Sequence, residues 1–365
     1  MKILVAMSGG VDSSVSAALL KKQGYEIVGV TMQLWSNDSS TRSEEGCCGI
    51  TAINDAKRVA DKLGFPHYVV NAREEFNSFV IDNFISEYSK GRTPNPCVRC
   101  NQFLKFDFLL KKAKELGIEM IATGHYAKIE KAVSSKLKAC LPVRQAEIQN
   151  KLLKGKDPAK DQSYFLYVMN QYNLAHTLFP LGDLTKKEVR VIAKEMQLNV
   201  AEKKESQEIC FIEGDYRDYF KEKLPQSLEP GNIIDTSGKI IGKHEGILFY
   251  TIGQRRGIGA HIEKKYVVGI NVATNSIIIG NDNDLFKKEL VADEIKLISG
   301  DLPKEGQEVI AKIRYNNPGS AAKLYPLDGN KIKVVFDSPQ RAITPGQSVV
   351  FYDNDEVLGG GIISA

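Results

Sequence analysis

Ile3-Leu4-Val5-Ala6-Met7-Ser8-Gly9-Gly10-Val11-Asp12-Ser13-Ser14 is the stretch from which the rest of the chain is read. Ile3 to Met7 are continuously apolar, the pattern of a strand buried on both faces of a parallel sheet. Ser8, Gly9 and Gly10 form a tight turn, and Asp12 to Ser14 open a helix predicted to run to about Lys22. A strand that turns through glycines into a helix is a phosphate cradle. The first helical amides lack intrahelical partners, and the helix dipole is positive there. Glycines let the backbone approach an anion with no Cβ in the way. Hydroxyls at Ser8, Ser13 and Ser14 add donors, and the Asp12 carboxylate suits a magnesium ion. The turn does not end in Gly-Lys-Ser/Thr, and the chain carries no G-x-G-x-x-G, so two commoner phosphate loops are excluded. The competing reading is an ordinary glycine-rich strand-to-helix turn.

Working outward, strands are predicted at Glu26 to Met32, Phe65 to Val70 and Glu119 to Thr123. Helices are predicted over about Thr51 to Leu63, Arg73 to Ser89 and Phe103 to Leu116. Alternation of this kind means a parallel sheet covered on both faces, with ligands at the carboxyl ends of the strands. Met32, Gly124 and the Ser8–Ser13 turn all fall at such ends. Trp35 and the polar run Ser36 to Gly46 read as a loop, and residues 130–160 as an irregular, lysine-rich segment that orders on binding a partner. Thr185-Lys-Lys-Glu188 is a capping box opening a helix to about Met196. From about Ser206 glycine turns multiply. Short strands at Val309 to Tyr315, Ala322 to Tyr325, Lys331 to Phe336, Ser348 to Tyr352 and Val357 to Ile363 suggest a small barrel. The expected fold is α/β, with units at 1–205, 206–280 and 281–365.

The chain has 365 residues and a formal net charge of +4, which permits a nucleic-acid partner without requiring one. No apolar run reaches the length of a membrane span and no cleavable signal is evident, so a cytoplasmic protein is expected. In that compartment the six cysteines are not expected to form a disulfide framework. Cys97 and Cys100 lie in Pro94-Asn-Pro-Cys-Val-Arg-Cys-Asn101, read as a stiff loop before the helix at Phe103. Proximity to a helix start and to Arg99 favours the Cys100 thiolate. Half a zinc site, a redox pair and coincidence are rival readings of the C-x-x-C spacing, and no second ligand pair follows. Cys210 sits among apolar residues and reads, on its own, as a packed thiol. Cys47, Cys48 and Cys140 carry no clear role. Tyr164, Phe165 and Tyr167 read as core rather than base-stacking residues.

Ser-Gly-Gly-x-Asp-Ser resembles the PP-loop of ATP pyrophosphatases. With it stand Asn-Pro-x-x-x-Cys-Asn (95–101), Ala-Thr-Gly-His-Tyr (122–126), Lys-Asp-Gln-Ser-Tyr-Phe-Leu (160–166), Glu-Ser-Gln-Glu-Ile-Cys-Phe-Ile (205–212), Tyr-Thr-Ile-Gly-Gln-Arg-Arg-Gly (250–257) and Thr-Pro-Gly-Gln (344–347). In this order they resemble the tRNA-specific 2-thiouridylase family over essentially the whole chain.

The resemblance implies a PP-loop domain, a small central domain and a C-terminal β-barrel. It implies adenylation of the C2 oxygen of uridine 34 and its replacement by sulfur, with ATP and Mg2+, on tRNAs for Lys, Glu and Gln. A cysteine desulfurase or a sulfur-relay protein would be the donor. Ala6, Met7, Ser8, Gly9, Gly10, Val11, Asp12, Ser13, Met32 and Gly124 match ATP contacts. Cys100 matches the nucleophile and Cys210 the persulfide carrier. Asn95, Pro96 and Cys97 match contacts to the target base, which must leave its stack. His125, Lys160, Asp161, Gln162, Arg314, Tyr315 and Gln347 match positions that contact tRNA. Well-known members of the family carry Asp, a candidate acid/base, where this chain has Cys97, so Cys97 or another group would act in that role. Cys97, Cys100 and Cys210 would also suit an iron–sulfur cluster with one open iron position.

Two other readings are open to test. A PP-loop enzyme that amidates or adds lysine needs no cysteine pair. A passive RNA-binding module, using Arg255, Arg256 and the barrel, would release no pyrophosphate.

Overall fold

In the computed structural model the described residues are 1–34, 49–133, 148–203, 209–212, 214–224, 228–259 and 263–364. The Trp35–Gly46 loop, Cys47, Cys48, Cys140 and Glu205 to Glu208 lie outside them. The first part of the chain contributes strands β1 (Lys2–Ala6), β2 (Glu26–Gln33), β3 (His67–Asn71), β4 (Met120–Ala122), β5 (Ala127–Val133), β6 (Ile148–Lys154) and β7 (Thr177–Leu178). Five of them form a sheet in the order β3-β2-β1-β4-β7, parallel throughout. The short β7 is absent from the sequence reading.

Side chains of β1 alternate between two cores. Leu4 joins Val28, Leu109 and Ile121 on one side; Ile3 and Val5 join Val15, Ile27 and Val189 on the other. With both faces covered, each large aliphatic contributes roughly 1.5–3 kcal/mol of burial. The helix Val11–Lys22 follows β1 with Gly10 at its N-cap. Glycine has no side chain to cap the first amides, so they are left for a ligand. Helix Ile50–Leu63 ends at Gly64, whose left-handed φ of 70° closes the last turn.

Two segments depart from expectation. Pro94–Asn101 is not a loop throughout: Asn95 caps a helix that begins at Pro96 and continues through a wide-turned Cys100–Phe108 stretch to Glu115. Proline at the first helical position costs no hydrogen bond, so it starts a helix here rather than blocking one. Within residues 130–160 the described residues include the end of β5 and all of β6, paired antiparallel, and a turn from 155 on. β6 also pairs with the last strand of the barrel. Lys151 and Lys154 reach Glu356 and Asp355 of that strand and the turn before it, so these two lysines belong to a charged strand pairing rather than to irregular chain; residues 134–147 lie outside the described residues.

A four-stranded central sheet follows, built from β8 (Gly231–Asp235), β9 (Ile240–His244), β10 (Tyr266–Asn271) and β11 (Ser276–Gly280). The C-terminal part comprises β12 (Phe286–Leu297), β13 (Gln307–Lys312), β14 (Ser320–Leu327), β15 (Lys331–Arg341), β16 (Ser348–Asp353) and β17 (Glu356–Ile363). They run β12-β15-β14-β13-β16-β17, and β17 pairs back onto β12 to close a barrel. Five of these strands fall where the sequence predicts short strands. β12 does not, because its exposed lysines and glutamates hide the buried Leu290, Ala292 and Ile295.

Candidate active site

The turn after β1 is shaped by contact as well as by φ. Gly9 has φ +66°, and a Cβ there would lie 2.1 Å from the Ala52 carbonyl oxygen in the first turn of the next helix. Ser8 N–H donates to Ser13 Oγ at 3.1 Å, and Ser14 Oγ donates to the Gly10 carbonyl at 2.8 Å. Gly124, at the carboxyl end of β4, abuts the same helix start: its Cβ would meet Ser13 N at 2.7 Å. Met7 and Val11 are buried and Ala6 packs against the core, so the backbone is what these three present to a ligand.

Charges around the cradle come from far along the chain. Lys186 Nζ donates to both Asp12 oxygens at 2.7 and 2.8 Å, and Tyr126 OH donates to Asp12 Oδ1 at 2.7 Å. Lys203 Nζ donates to the Gly9 carbonyl at 3.1 Å and pairs with Asp55 at 2.6 Å. Sequence reasoning found the Thr185–Glu188 capping box but not that it aims Lys186 at the cradle. Asp12 is therefore seated on a lysine and offers a metal no oxygen without a donor. Among the described residues, no group of three or more His, Cys, Asp or Glu could hold a metal ion. Cys97, Cys100 and Cys210 thus do not form a ready cluster site. As arranged here, the three cysteines do not fit an iron–sulfur cluster, and both Asp12 oxygens are engaged by Lys186.

Cys97 is exposed; Cys100 and Cys210 are half-buried. Asn95 Oδ1 accepts from Val98 N–H, which places Cys97 in the first helical turn, where the dipole favours a thiolate. Asn101 Nδ2 donates to the Phe165 carbonyl at 3.1 Å and fixes the turn beyond Cys100. Cys100, Cys210 and Met32 all pack against one apolar cluster. Phe211 anchors the Cys210 segment in it, with its ring edge-on to Phe84 at 5.1 Å and to Phe76 at 5.8 Å. An open cavity of about 500 Å³ is lined by Ile209 and Ile212, which flank Cys210 and Phe211 in the chain, and by Asp215, Tyr216, Arg217 and Arg256.

The residues matched to tRNA contacts divide in two. His125 is buried: Thr123 Oγ1 lies 2.7 Å from Nδ1 and Lys105 Nζ 3.4 Å from Nε2. Burial, with Lys105 nearby, holds its imidazole well below the usual range, so the ring is neutral. The ammonium of Lys105 makes Nε2 the acceptor and Nδ1 the donor to Thr123. Asp161 is also buried and accepts from Gly155 N–H, Ser163 N–H and Ser163 Oγ. Gln162 Oε1 accepts from Tyr126 N–H. Gln162 and the other four are partly exposed. Arg314 donates to the Arg341 carbonyl, and Tyr315 packs on Phe165 with ring centres 4.6 Å apart. Gln347 donates to the Thr93 and Pro94 carbonyls, tying the barrel to the chain just before Asn95. Lys160 lies in the turn leading to this group. Tyr164 and Tyr167 are core residues, as expected.

A parallel sheet whose first strand passes through Ser8-Gly9-Gly10 into an open helix end is the architecture of the PP-loop class of ATP-binding proteins. Three family models divide this chain: the tRNA methyl transferase HUP domain over residues 1–214, the tRNA methyl transferase PRC-barrel domain over 217–281 and the Aminomethyltransferase beta-barrel domain over 287–363. The chain is 50% identical to the tRNA-specific 2-thiouridylase MnmA of Clostridioides difficile, covering 99% of this chain and 98% of that protein. It is 49% identical to that of Acetivibrio thermocellus, covering 99% of each. The chain belongs to the tRNA-specific 2-thiouridylase family. No helix among the described residues is long and apolar enough to cross a membrane.

Proposed function

We infer that this protein is a tRNA 2-thiouridylase, an ATP-dependent sulfurtransferase that converts uridine 34 of tRNA to 2-thiouridine. The observation that carries the chemistry is that Cys100 and Cys210, remote in sequence, border one apolar cluster with Met32 at the sheet's carboxyl edge. A carbonyl oxygen is a poor leaving group. Attack of the uridine C2 oxygen on the α-phosphorus of ATP expels pyrophosphate, and C2 then carries AMP. The terminal sulfur of a Cys210 persulfide bonds to C2 and AMP departs. The Cys100 thiolate attacks Cys210 Sγ, a Cys100–Cys210 disulfide forms, and the electron pair stays on the sulfur at C2 as the thiocarbonyl. Two reducing equivalents from a thiol restore the enzyme. Release of hydrosulfide from the persulfide, followed by its attack on C2, gives the same product. Amides at the start of the helix Val11–Lys22 would hold the pyrophosphate charge.

The matched residues Asn95, Pro96 and Cys97 support contact with the flipped base, and Lys160, Arg314, Tyr315 and Gln347 contact with tRNA. His125, Asp161 and Gln162 support that surface from beneath, through Lys105, Ser163 and Tyr126. The substrates on this reading are tRNAs for Lys, Glu and Gln, in the cytoplasm, with a desulfurase or relay protein delivering sulfur to Cys210. The units would be 1–205, 206–280 and 281–365.

Anaerobic protein with ATP, magnesium, sulfide and unmodified tRNA for Lys tests this, with position 34 analysed by mass spectrometry. Thiolated uridine is the expected result, and with a cysteine desulfurase as the donor in place of sulfide it should be lost in Cys100→Ser. Pyrophosphate release without thiolation, at any sulfur supply including a desulfurase, would overturn it in favour of another acceptor. No pyrophosphate release would leave a passive RNA-binding module. The Cys97→Ser variant decides whether that thiol is the acid/base.

A further inference from the structure

We propose that Lys186 is the cation that binds the β- and γ-phosphates of ATP, and that Asp12 holds it in place until the nucleotide arrives. The inference rests on the ATP-dependent reading above and adds to it a residue not found among the matched site positions.

The geometry is specific. The Lys186 side chain is only 10% exposed, and its ammonium lies within 2.8 Å of both oxygens of the second residue of the cradle helix. Its stem is held firmly: Thr185 caps the helix Lys186–Glu195, and Lys186 N–H donates to Asp157 Oδ2 at 2.9 Å. The Tyr126 ring stands 5.8 Å from the ammonium. A charge this buried requires an anionic partner. Without nucleotide, Asp12 is that partner. A triphosphate docked on the first helical amides brings more negative charge to the same helix end, within the swing of a four-carbon side chain. Asp12, with a side chain 31% exposed and a second donor in Tyr126 OH, tolerates the loss of its lysine.

The chemical role follows. As the bond between the α-phosphorus and its bridging oxygen breaks, the electron pair goes to pyrophosphate, and a fixed ammonium neutralises the growing charge with no proton transfer. Lys203 is tied to Asp55 and the Gly9 carbonyl, and through them it holds the loop.

Calorimetric titration with ATP and with AMP separates these contacts, since AMP lacks the phosphates concerned. The wild-type protein should bind both; failure to bind ATP would refute the ATP-dependent reading itself. Lys186→Met should weaken ATP about tenfold or more while changing AMP less than about twofold, and Lys186→Arg should recover part of the loss. Equal losses for ATP and AMP, or undiminished ATP binding, would overturn the proposal. Should the Met variant fail to fold, acylation of Lys186 in the wild-type protein, followed by mass spectrometry, decides the matter. Labelling altered by inorganic pyrophosphate but not by AMP supports the role; labelling indifferent to pyrophosphate sinks it.

Discussion

Arg99 grips Glu294 with a hydrogen bond, Nη2 to Oε1 at 2.9 Å, and an ion-pair contact, Nη1 to Oε2 at 2.8 Å. Arg99 immediately precedes Cys100, and Glu294 belongs to barrel strand β12. Glu294 has φ +48° and lies where the β12–β17 register shifts between Asp293 and Lys296. Such a bulge re-aims a side chain. The barrel thereby holds the helix that carries Cys97 and Cys100, and its closure has a consequence for the chemistry.

Glu294→Gln should lower the thiolation rate several-fold while changing stability at neutral pH by less than about 1 kcal/mol, because the pair is partly exposed. The Arg99 hydrogen bond holds the Glu294 carboxyl below its ordinary 4.5. The pair's contribution is therefore complete above pH 4.5 and is lost as pH falls through the lower folded value. Urea unfolding at pH 7 and near pH 4 should show a smaller acid loss in the variant than in the wild type.

His125 gives the opposite residue type with the same direction of effect. Burial, then Lys105, depresses its imidazole below 6.5. Between 6.5 and the folded value the unfolded chain holds a proton that the folded chain lacks. Stability should thus fall as pH drops below 6.5, by up to about 1.4 kcal/mol per pH unit for this one group. His125→Gln should flatten that slope. His67 and His244, also lowered by burial, supply a remaining part of it. An unchanged slope in the variant, measured by denaturant titration from pH 7.5 to 5, would contradict this account.

Gly9→Ala places a methyl 2.1 Å from the Ala52 carbonyl oxygen at φ +66°. Backbone strain costs about 1–3 kcal/mol, and the helix Ile50–Leu63 must move in addition. ATP titration should show no binding, with a lowered melting temperature. Gly64→Ala, at φ +70° but with open space around its Cβ, should lower the melting temperature while leaving ATP binding intact.

Phe211→Ala should separate the two halves of the reaction. Phe211 is 4% exposed and packs on Phe76 and Phe84. Truncation costs about 3–5 kcal/mol and releases the Cys210 segment. Thiolation should fall far more than ATP binding. Equal loss of both would indicate general unfolding, which the melting curve would show.

Much of the fold was legible before the structure. Continuous hydrophobicity at Ile3 to Met7 requires two buried faces, and β1 has them. Thr185 and Glu188 do form the capping box that their spacing implies. Pro96 was misread because proline both breaks and begins helices, and only the Asn95 cap distinguishes the cases. β12 was missed because its outward face carries most of its charge.

The sequence alone determined the phosphate cradle, the parallel sheet and the cysteine pair, because each depends on residue type and local spacing. Glycines permit the turn, apolar runs demand burial, and thiols carry the sulfur chemistry. Tertiary structure decided what those groups face. Lys186 on Asp12, Glu294 on Arg99, Lys105 on His125 and Cys210 beside the cluster of Cys100 join residues far apart in the chain. No periodicity records such contacts, since side-chain direction over long sequence separations is set only when sheet, barrel and aromatic cluster pack together.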